Sequence, residues 1–168
     1  AKIAELLEWC EELGIGVVTL WLLSTENLRR DPAEVGELLK IIEGTVESLA
    51  RNGRWRIRAL GSQEMLPDST AEVLRRAESA GGSGDGGILN VAVGYGGRQE
   101  IADAIARMLE SYAADGVSTD EAAKRVTPDE ISRFLYTAGL PDPDLVIRTS
   151  GEVRMSGFLL WQSAHSEY

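Results

Sequence analysis

The fold is decided by one stretch of the chain, Gly16-Val17-Val18-Thr19-Leu20-Trp21-Leu22-Leu23. This continuous apolar run is rich in branched residues, which is typical of a strand buried on both faces. Apolar residues recur at helical spacing before it, over Ile3–Leu13, and after it, over Pro32–Asn52. A buried strand between two helices favours a layered α/β arrangement.

The same alternation of strand and helix continues along the chain. Further strands are predicted at Trp55–Leu60, Ile88–Val93 and Asp144–Thr149, with Phe158–Ala164 as a fifth. Further helices are predicted at Asp68–Ala80, Arg98–Ala114 and Pro128–Ala138. The sequence therefore predicts an α/β fold with a central, mostly parallel β-sheet flanked by helices.

Length and composition exclude several classes of protein. The 168 residues suit one domain, and 27 acidic against 17 basic side chains give a net charge of −10. That balance disfavours non-specific nucleic-acid binding, which needs a basic surface. The single cysteine, Cys10, excludes an internal disulfide framework and predicts a cytoplasmic protein. With only one cysteine and one histidine, the chain also cannot build a metal site from those residue types. No apolar run approaches the ~18 residues that would predict a transmembrane helix.

Three polar clusters follow predicted strands, where the carboxyl ends of parallel strands form a ligand crevice. They are Ser24–Arg30, Gly94–Arg98 and Arg148–Ser156. Four arginines in these clusters are candidate ligand contacts, and they are Arg30, Arg98, Arg148 and Arg154. Each guanidinium offers a planar donor fork suited to phosphate oxygens, and together the four predict a phosphate-ester ligand. Any one of them alone is better explained as the partner of a surface carboxylate, so local chemistry leads no further than a phosphate ester.

Three blocks of sequence resemble the cis-prenyltransferases, also called Z-isoprenyl diphosphate synthases or the undecaprenyl diphosphate synthase family. The blocks are Ser24–Asn27, Gly94–Ile101 and the long stretch from Pro141 to Glu167. They occur in the same order as in that family, and the last is highly specific. Leu28 in place of a frequent tryptophan, and Gly94 in place of asparagine, resemble the short-chain actinobacterial (2Z,6E)-farnesyl diphosphate synthases.

The resemblance implies a six-stranded, mostly parallel sheet flanked by helices, and a homodimer. It implies an enzyme that joins isopentenyl diphosphate to an allylic diphosphate, forms a new cis double bond and releases pyrophosphate. Mg²⁺ is the implied cofactor, because metal ions and arginine forks stabilise the charge that develops on a diphosphate leaving group.

The resemblance also implies roles for individual residues. Asn27 matches the residue that assists proton removal from isopentenyl diphosphate, and Glu167 matches the carboxylate that serves Mg²⁺. Because an amide is barely basic, Asn27 is expected to orient the path of the proton rather than accept it. The implied substrate contacts are Ser24, Thr25, Glu26, Leu28, Arg30, Glu34, Arg148, Arg154, Met155 and Ser156.

One departure from the family pattern matters for activity. The family's N-terminal Asp-Gly-Asn-Gly-Arg-Trp motif does not occur in this sequence, and neither does the family's segment after Tyr168. We expect residues 1–168 to be a single cis-prenyltransferase domain of a longer protein, because every later motif is intact. The alternative is a catalytically inactive remnant.

The residues before Ser24 bear on the length of the product. Bulky Leu22 and Leu23 precede Ser24, where large side chains would narrow a product tunnel and limit the product to about C10 to C15. The alternatives are a non-catalytic partner subunit, an irregular coupling on the same fold, and an unrelated phosphate-binding α/β enzyme with an accidental resemblance.

Overall fold

The computed structural model describes residues 2–83, 85–149 and 156–168. The chain divides into two compact units, Ala1–Tyr95 and Gly96–Tyr168. That these residues act as one domain stays a prediction.

The first unit alternates helices with strands, as the apolar patterns predicted. In chain order its elements are α1 Lys2–Glu12, β1 Val17–Ser24, α2 Pro32–Asn52, β2 Trp55–Leu60, α3 Asp68–Ser79 and β3 Gly87–Tyr95. Short 3₁₀ turns lie at Asn27–Arg29 and Gln63–Met65. Helix α2 begins after Asp31, whose carboxylate accepts hydrogen bonds from the backbone N–H groups of Ala33 and Glu34, and ends at Gly53 in a left-handed conformation.

The sheet of the first unit is parallel, with the order β1-β3-β2. Trp21 pairs with Ala92 on one side of β3, and Leu60 pairs with the same residue on the other side. The central strand β3 is almost completely buried, whereas Val17–Leu22 of β1 is only half-buried. The prediction that β1 is buried on both faces was therefore wrong for most of its length, because β1 lies at the edge of the described sheet.

The core of this unit forms where α1, α2 and α3 pack against the sheet. Its most buried members include Leu7, Val46, Leu74, Leu89 and Val91. Cys10 is a free thiol in this core, and burial raises the pKa of its sulfhydryl group. A buried thiol with a raised pKa is a packing residue rather than a reactive one.

The second unit is helical in the part that the structure describes. Its helices are α4 Gly97–Ala114, α5 Thr119–Arg125 and α6 Pro128–Ser132. They enclose a small core of Ala104, Met108, Tyr112, Ala122, Ile131 and Leu135.

The predicted helix Pro128–Ala138 was too long, because it ends at Ser132. After Ser132 the backbone tightens into turns closed three residues back, for example from Phe134 N to Ile131 O at 2.9 Å. The backbone N–H of Tyr136 bonds instead to the Glu100 carboxylate on α4, at 2.9 Å. A buried side-chain acceptor thus replaces the helical carbonyl and stops the helix.

The predicted strands Asp144–Thr149 and Phe158–Ala164 were wrong. The first makes only a single parallel bridge, between Leu145 and Glu167, and the second consists of turns. Within the described residues, the first segment pairs only around Glu167, and its apolar Ile147 is 72% exposed. The sheet in the described residues has three strands rather than the six that the resemblance implied.

A glycine at the carboxyl end of β2 is required by close packing. Gly61 has φ +121°, and an added Cβ would lie 2.3 Å from the carbonyl oxygen of Val93. We expect Gly61→Ala to lower the free energy of unfolding by about 3 kcal/mol or more, because backbone strain adds to the overlap. Gly44→Ala is the matched control, since nothing lies within 4 Å of a Cβ there and helix α2 should gain about 0.5–1 kcal/mol. Urea unfolding followed by circular dichroism measures both, and equal effects would contradict this reading of Gly61.

Among the described residues, none of the helices is both long and apolar enough to cross a membrane.

Candidate active site

The loop after β1 holds the first group of predicted site residues in a compact turn. Ser24 is buried, and its hydroxyl oxygen accepts a hydrogen bond from the backbone N–H of Asn27 at 3.0 Å. Thr25 N–H donates to the carbonyl oxygen of Tyr95 at 3.1 Å, which fixes the loop to the carboxyl end of β3. The hydroxyl of Ser24 is thus used to shape the turn, and the amide side chain of Asn27 projects from a fixed backbone.

The neighbouring residues divide between core and solvent. Leu28 packs against the apolar core of the first unit, whereas Glu26 is exposed. Leu28 therefore anchors the 3₁₀ turn, which holds Asn27 in place.

Arg30 and Glu34 form an ion pair across the start of α2. Arg30 Nη2 lies 2.8 Å from Glu34 Oε1, and both side chains are about half exposed, at 53% and 45%. This is the surface-carboxylate pairing that the sequence left open for each arginine. A guanidinium carries five N–H donors, so one such pair is compatible with an anion at the remaining donors.

The second group lies in the unit Gly96–Tyr168. Arg148 Nη1 donates to the hydroxyl oxygen of Ser156 at 2.9 Å, and both side chains are exposed. Ser156 has φ +48° and is followed by Gly157 at φ +85°, so this segment turns sharply. The structure thus brings together two predicted phosphate contacts that are eight residues apart.

Glu167 lies beside the segment that leads to Arg148. Its backbone N–H donates to Asp144 O and its carbonyl oxygen accepts from Val146 N, both at 2.9 Å. Its carboxylate is exposed and is available to a cation or a ligand. In the described residues no three His, Cys, Asp or Glu side chains are grouped closely enough to hold a metal ion by themselves.

The three other residues that were predicted in the arginine-containing clusters are Arg98, Arg154 and Met155. Arg154 and Met155 lie outside the described residues. Arg98 is exposed in the first turn of α4.

A surface groove of about 300 Å³ lies between α2 and α3, and none of its lining residues is a predicted site residue. It is lined by Glu47, Ala50, Arg51, Val73, Arg76 and Ala77. Concavity alone therefore does not select the predicted site, which is identified by its polar groups.

No role was predicted for Glu100, although it lies within the block Gly94–Ile101 that resembles the family. Glu100 is completely buried in α4, on the same face as Ala104 and Met108. A carboxylate within an apolar stripe was the feature that could have identified it, because buried carboxylates are rare without partners.

The chain is similar to known proteins over its whole length. A family profile described as "Putative undecaprenyl diphosphate synthase" matches residues 1–168. Isoprenyl transferase 1 of Streptomyces avermitilis is 54% identical over 167 residues, and the match covers 99% of this chain and 65% of that protein. A (2Z,6E)-farnesyl diphosphate synthase of Thermobifida fusca is 56% identical, with the same coverage of each chain. The chain thus spans about 65% of the length of these curated relatives.

Solved structures share the fold. A probable undecaprenyl diphosphate synthase of Campylobacter jejuni matches with a TM-score of 0.82 at 27% identity, over 98% of this chain and 74% of that one. Lavandulyl diphosphate synthase of Lavandula x intermedia, solved in complex with dimethylallyl diphosphate, matches with a TM-score of 0.79 at 31% identity. That match covers 90% of this chain and 66% of the other.

Proposed function

We propose, since this chain belongs to the undecaprenyl diphosphate synthase family of prenyltransferases, that the full-length protein condenses isopentenyl diphosphate with an allylic diphosphate. The product is a short cis isoprenyl diphosphate of about C10 to C15, with pyrophosphate released. The names of the relatives, which include several (2Z,6E)-farnesyl diphosphate synthases, support a short product.

One observation carries the proposal. Arg148 donates to Ser156, and Glu167 pairs through its backbone with the segment that leads to Arg148. Two residues that the resemblance assigns to isopentenyl diphosphate, and the carboxylate that it assigns to Mg²⁺, are therefore held within neighbouring segments of the same unit. A scaffold protein would have no need of such a grouping.

The residues of this chain would divide the work as follows. Arg148 and Ser156 bind the diphosphate of isopentenyl diphosphate, with Arg154, Met155, Arg30 and Glu34 as further contacts. Arginine forks suit phosphate oxygens because two parallel N–H donors can bond one phosphate. Asn27, in its fixed turn with Ser24, Thr25, Glu26 and Leu28, orients the proton that leaves after carbon–carbon bond formation.

Mg²⁺ fits the donor set only together with substrate. Glu167 offers a single exposed carboxylate, and Mg²⁺ is commonly held by one or two carboxylates plus substrate phosphates. When bound, the metal would neutralise charge on the diphosphate. Glu167 is therefore the proposed carboxylate that serves the metal.

The proposed partners are the two diphosphates and a second copy of this chain. A homodimer follows the family pattern, and light scattering of the full-length protein measures it directly.

Leu22 is expected to limit the length of the product. It lies on β1, half-buried and packed against the core, next to fully buried Leu23. We expect Leu22→Ala to lengthen the product by at least one C5 unit, because removing side-chain volume leaves space that a longer tail can fill. Leu20→Ala, two residues earlier on the same strand, is the control for lost packing alone. Chromatography of the products measures both, and an unchanged distribution for Leu22→Ala would reject its role.

The test of the proposed function uses the full-length protein with radiolabelled isopentenyl diphosphate and either dimethylallyl or geranyl diphosphate, with and without Mg²⁺. A metal-dependent C10–C15 product is expected. Product from dimethylallyl diphosphate alone would indicate irregular coupling instead. No product with any allylic partner would favour the non-catalytic subunit.

A further inference from the structure

A buried carboxylate in the second unit has no part in the proposed chemistry. Glu100 is 0% exposed in the first turns of α4, where its neighbours on the same face are apolar. An apolar side chain would fill this position without the cost of desolvating a carboxylate. The hydrogen bonds that Glu100 makes therefore need a reason beyond filling space.

Glu100 joins two segments that are far apart in sequence. Its Oε1 atom accepts from the backbone N–H of Tyr136 at 2.9 Å and from Gln162 Nε2 at 3.0 Å. Gln162 is 3% exposed, and the same Nε2 group donates to Thr137 Oγ1 at 2.9 Å. One carboxylate thus fixes the turn after α6 and the segment around Gln162 on the same helix.

A second contact fixes the start of that segment to the same helical turn. Gly97 N–H donates to Gly157 O at 2.9 Å, and a Cβ on Gly97 would lie 2.6 Å from that oxygen. The segment Gly157–Gln162 is therefore attached to α4 at both ends, by Gly97 and by Glu100. Its position is set by α4 and not by its own secondary structure, which consists of turns.

The attached segment begins directly after Ser156, the hydroxyl that accepts from Arg148 at 2.9 Å. We propose that Glu100 is a positioning residue, which holds Ser156 and through it the Arg148 guanidinium in the geometry that binds the diphosphate of isopentenyl diphosphate. This inference rests on the proposed function and adds a residue that makes no contact with the substrate. A displacement of about 1 Å in a substrate-binding group is enough to cost about 100-fold in rate.

The test compares Michaelis constants in the full-length protein. Glu100→Leu and Gln162→Leu each remove one partner of the hydrogen bond between Gln162 and Glu100. Each is expected to raise the KM for isopentenyl diphosphate about 10-fold to 100-fold. The KM for the allylic diphosphate should change by less than about twofold. Glu100→Gln keeps an oxygen that can accept from Tyr136 and Gln162, so it should restore most of the affinity.

Met108→Ala is the matched control, because Met108 lies on the same buried face of α4 and is 1% exposed. It should lower Tm without changing the KM for isopentenyl diphosphate. The proposal is overturned if Glu100→Leu and Gln162→Leu lower Tm as Met108→Ala does and leave that KM unchanged. If Glu100→Leu does not fold, the KM values of Gln162→Leu and Glu100→Gln for isopentenyl diphosphate test the positioning role instead.

Failure of the proposed function would be seen separately. A wild-type protein that forms no product refutes that function, and the positioning role is then measured by calorimetry with inorganic pyrophosphate. Weaker binding by Gln162→Leu than by Met108→Ala would support the positioning role, and equal binding would refute it.

Discussion

Replacing Arg148 by alanine is expected to reduce kcat/KM for isopentenyl diphosphate by about 100-fold to 1000-fold. The guanidinium donates to the hydroxyl oxygen of Ser156 at 2.9 Å, and this bond orients its donor fork. Removing it deletes a donor fork whose charge-assisted bonds to phosphate are roughly twice as strong as neutral ones. Steady-state kinetics with the full-length protein measures the loss.

Two further variants separate the fork from the charge and from general surface effects. Arg148→Lys keeps the charge but not the planar fork, so it should recover only part of the activity. Arg125→Ala is the control, because Arg125 is an exposed arginine of the same unit that pairs with Glu121 at 2.9 Å. If Arg148→Ala and Arg125→Ala have the same kcat/KM, Arg148 does not bind substrate.

Replacing Asn27 by alanine is expected to lower kcat by about 100-fold and to change the KM values little. The reason lies in which atoms build the turn: Ser24 Oγ bonds the backbone N–H of Asn27 and not its side chain. The substitution should therefore leave the turn intact and remove only the amide that we propose orients the departing proton. Single-turnover kinetics measures the chemical step directly.

Asn52→Ala is the matched control for Asn27, because Asn52 is the last residue of α2 and is exposed. It should leave kcat unchanged. A kcat for Asn27→Ala within threefold of the Asn52→Ala value would remove Asn27 from the reaction.

The first unit was predictable because its elements are set by local apolar patterns. The helix Pro32–Asn52 has the predicted bounds, with Pro32 in its first turn and Gly53 directly after its last residue. The burial of β1 was not predictable in the same way, since it depends on which strand lies beside it. That information is not local to Gly16–Leu23.

The second unit was predicted less well because tertiary contacts decide its local structure. The turns after Ser132 form where the Glu100 carboxylate takes the N–H of Tyr136, and no sequence pattern near Pro128 announces that contact. By contrast, helix α5 was missed although its start is visible, since Ser118 accepts from the backbone N–H of Glu121 as a helix cap.

The candidate site was predicted in part. Contiguous motifs were sufficient to nominate Ser24, Asn27 and Arg148, whose roles stay predictions. Glu100 could not be nominated in this way, because it bonds to residues that lie 36 and 62 positions away. The alternative of an accidental resemblance is wrong, because the family profile spans residues 1–168.

The most direct test of the account is the geometry of the double bond that the full-length protein makes. The product formed from isopentenyl diphosphate and an allylic diphosphate would be dephosphorylated and examined by ¹³C NMR, where the methyl carbon on the new double bond distinguishes the two isomers. We predict a cis double bond in every newly added unit. A trans double bond, or the absence of any condensation product in the presence of Mg²⁺, would contradict the assignment of this site to cis-prenyl transfer.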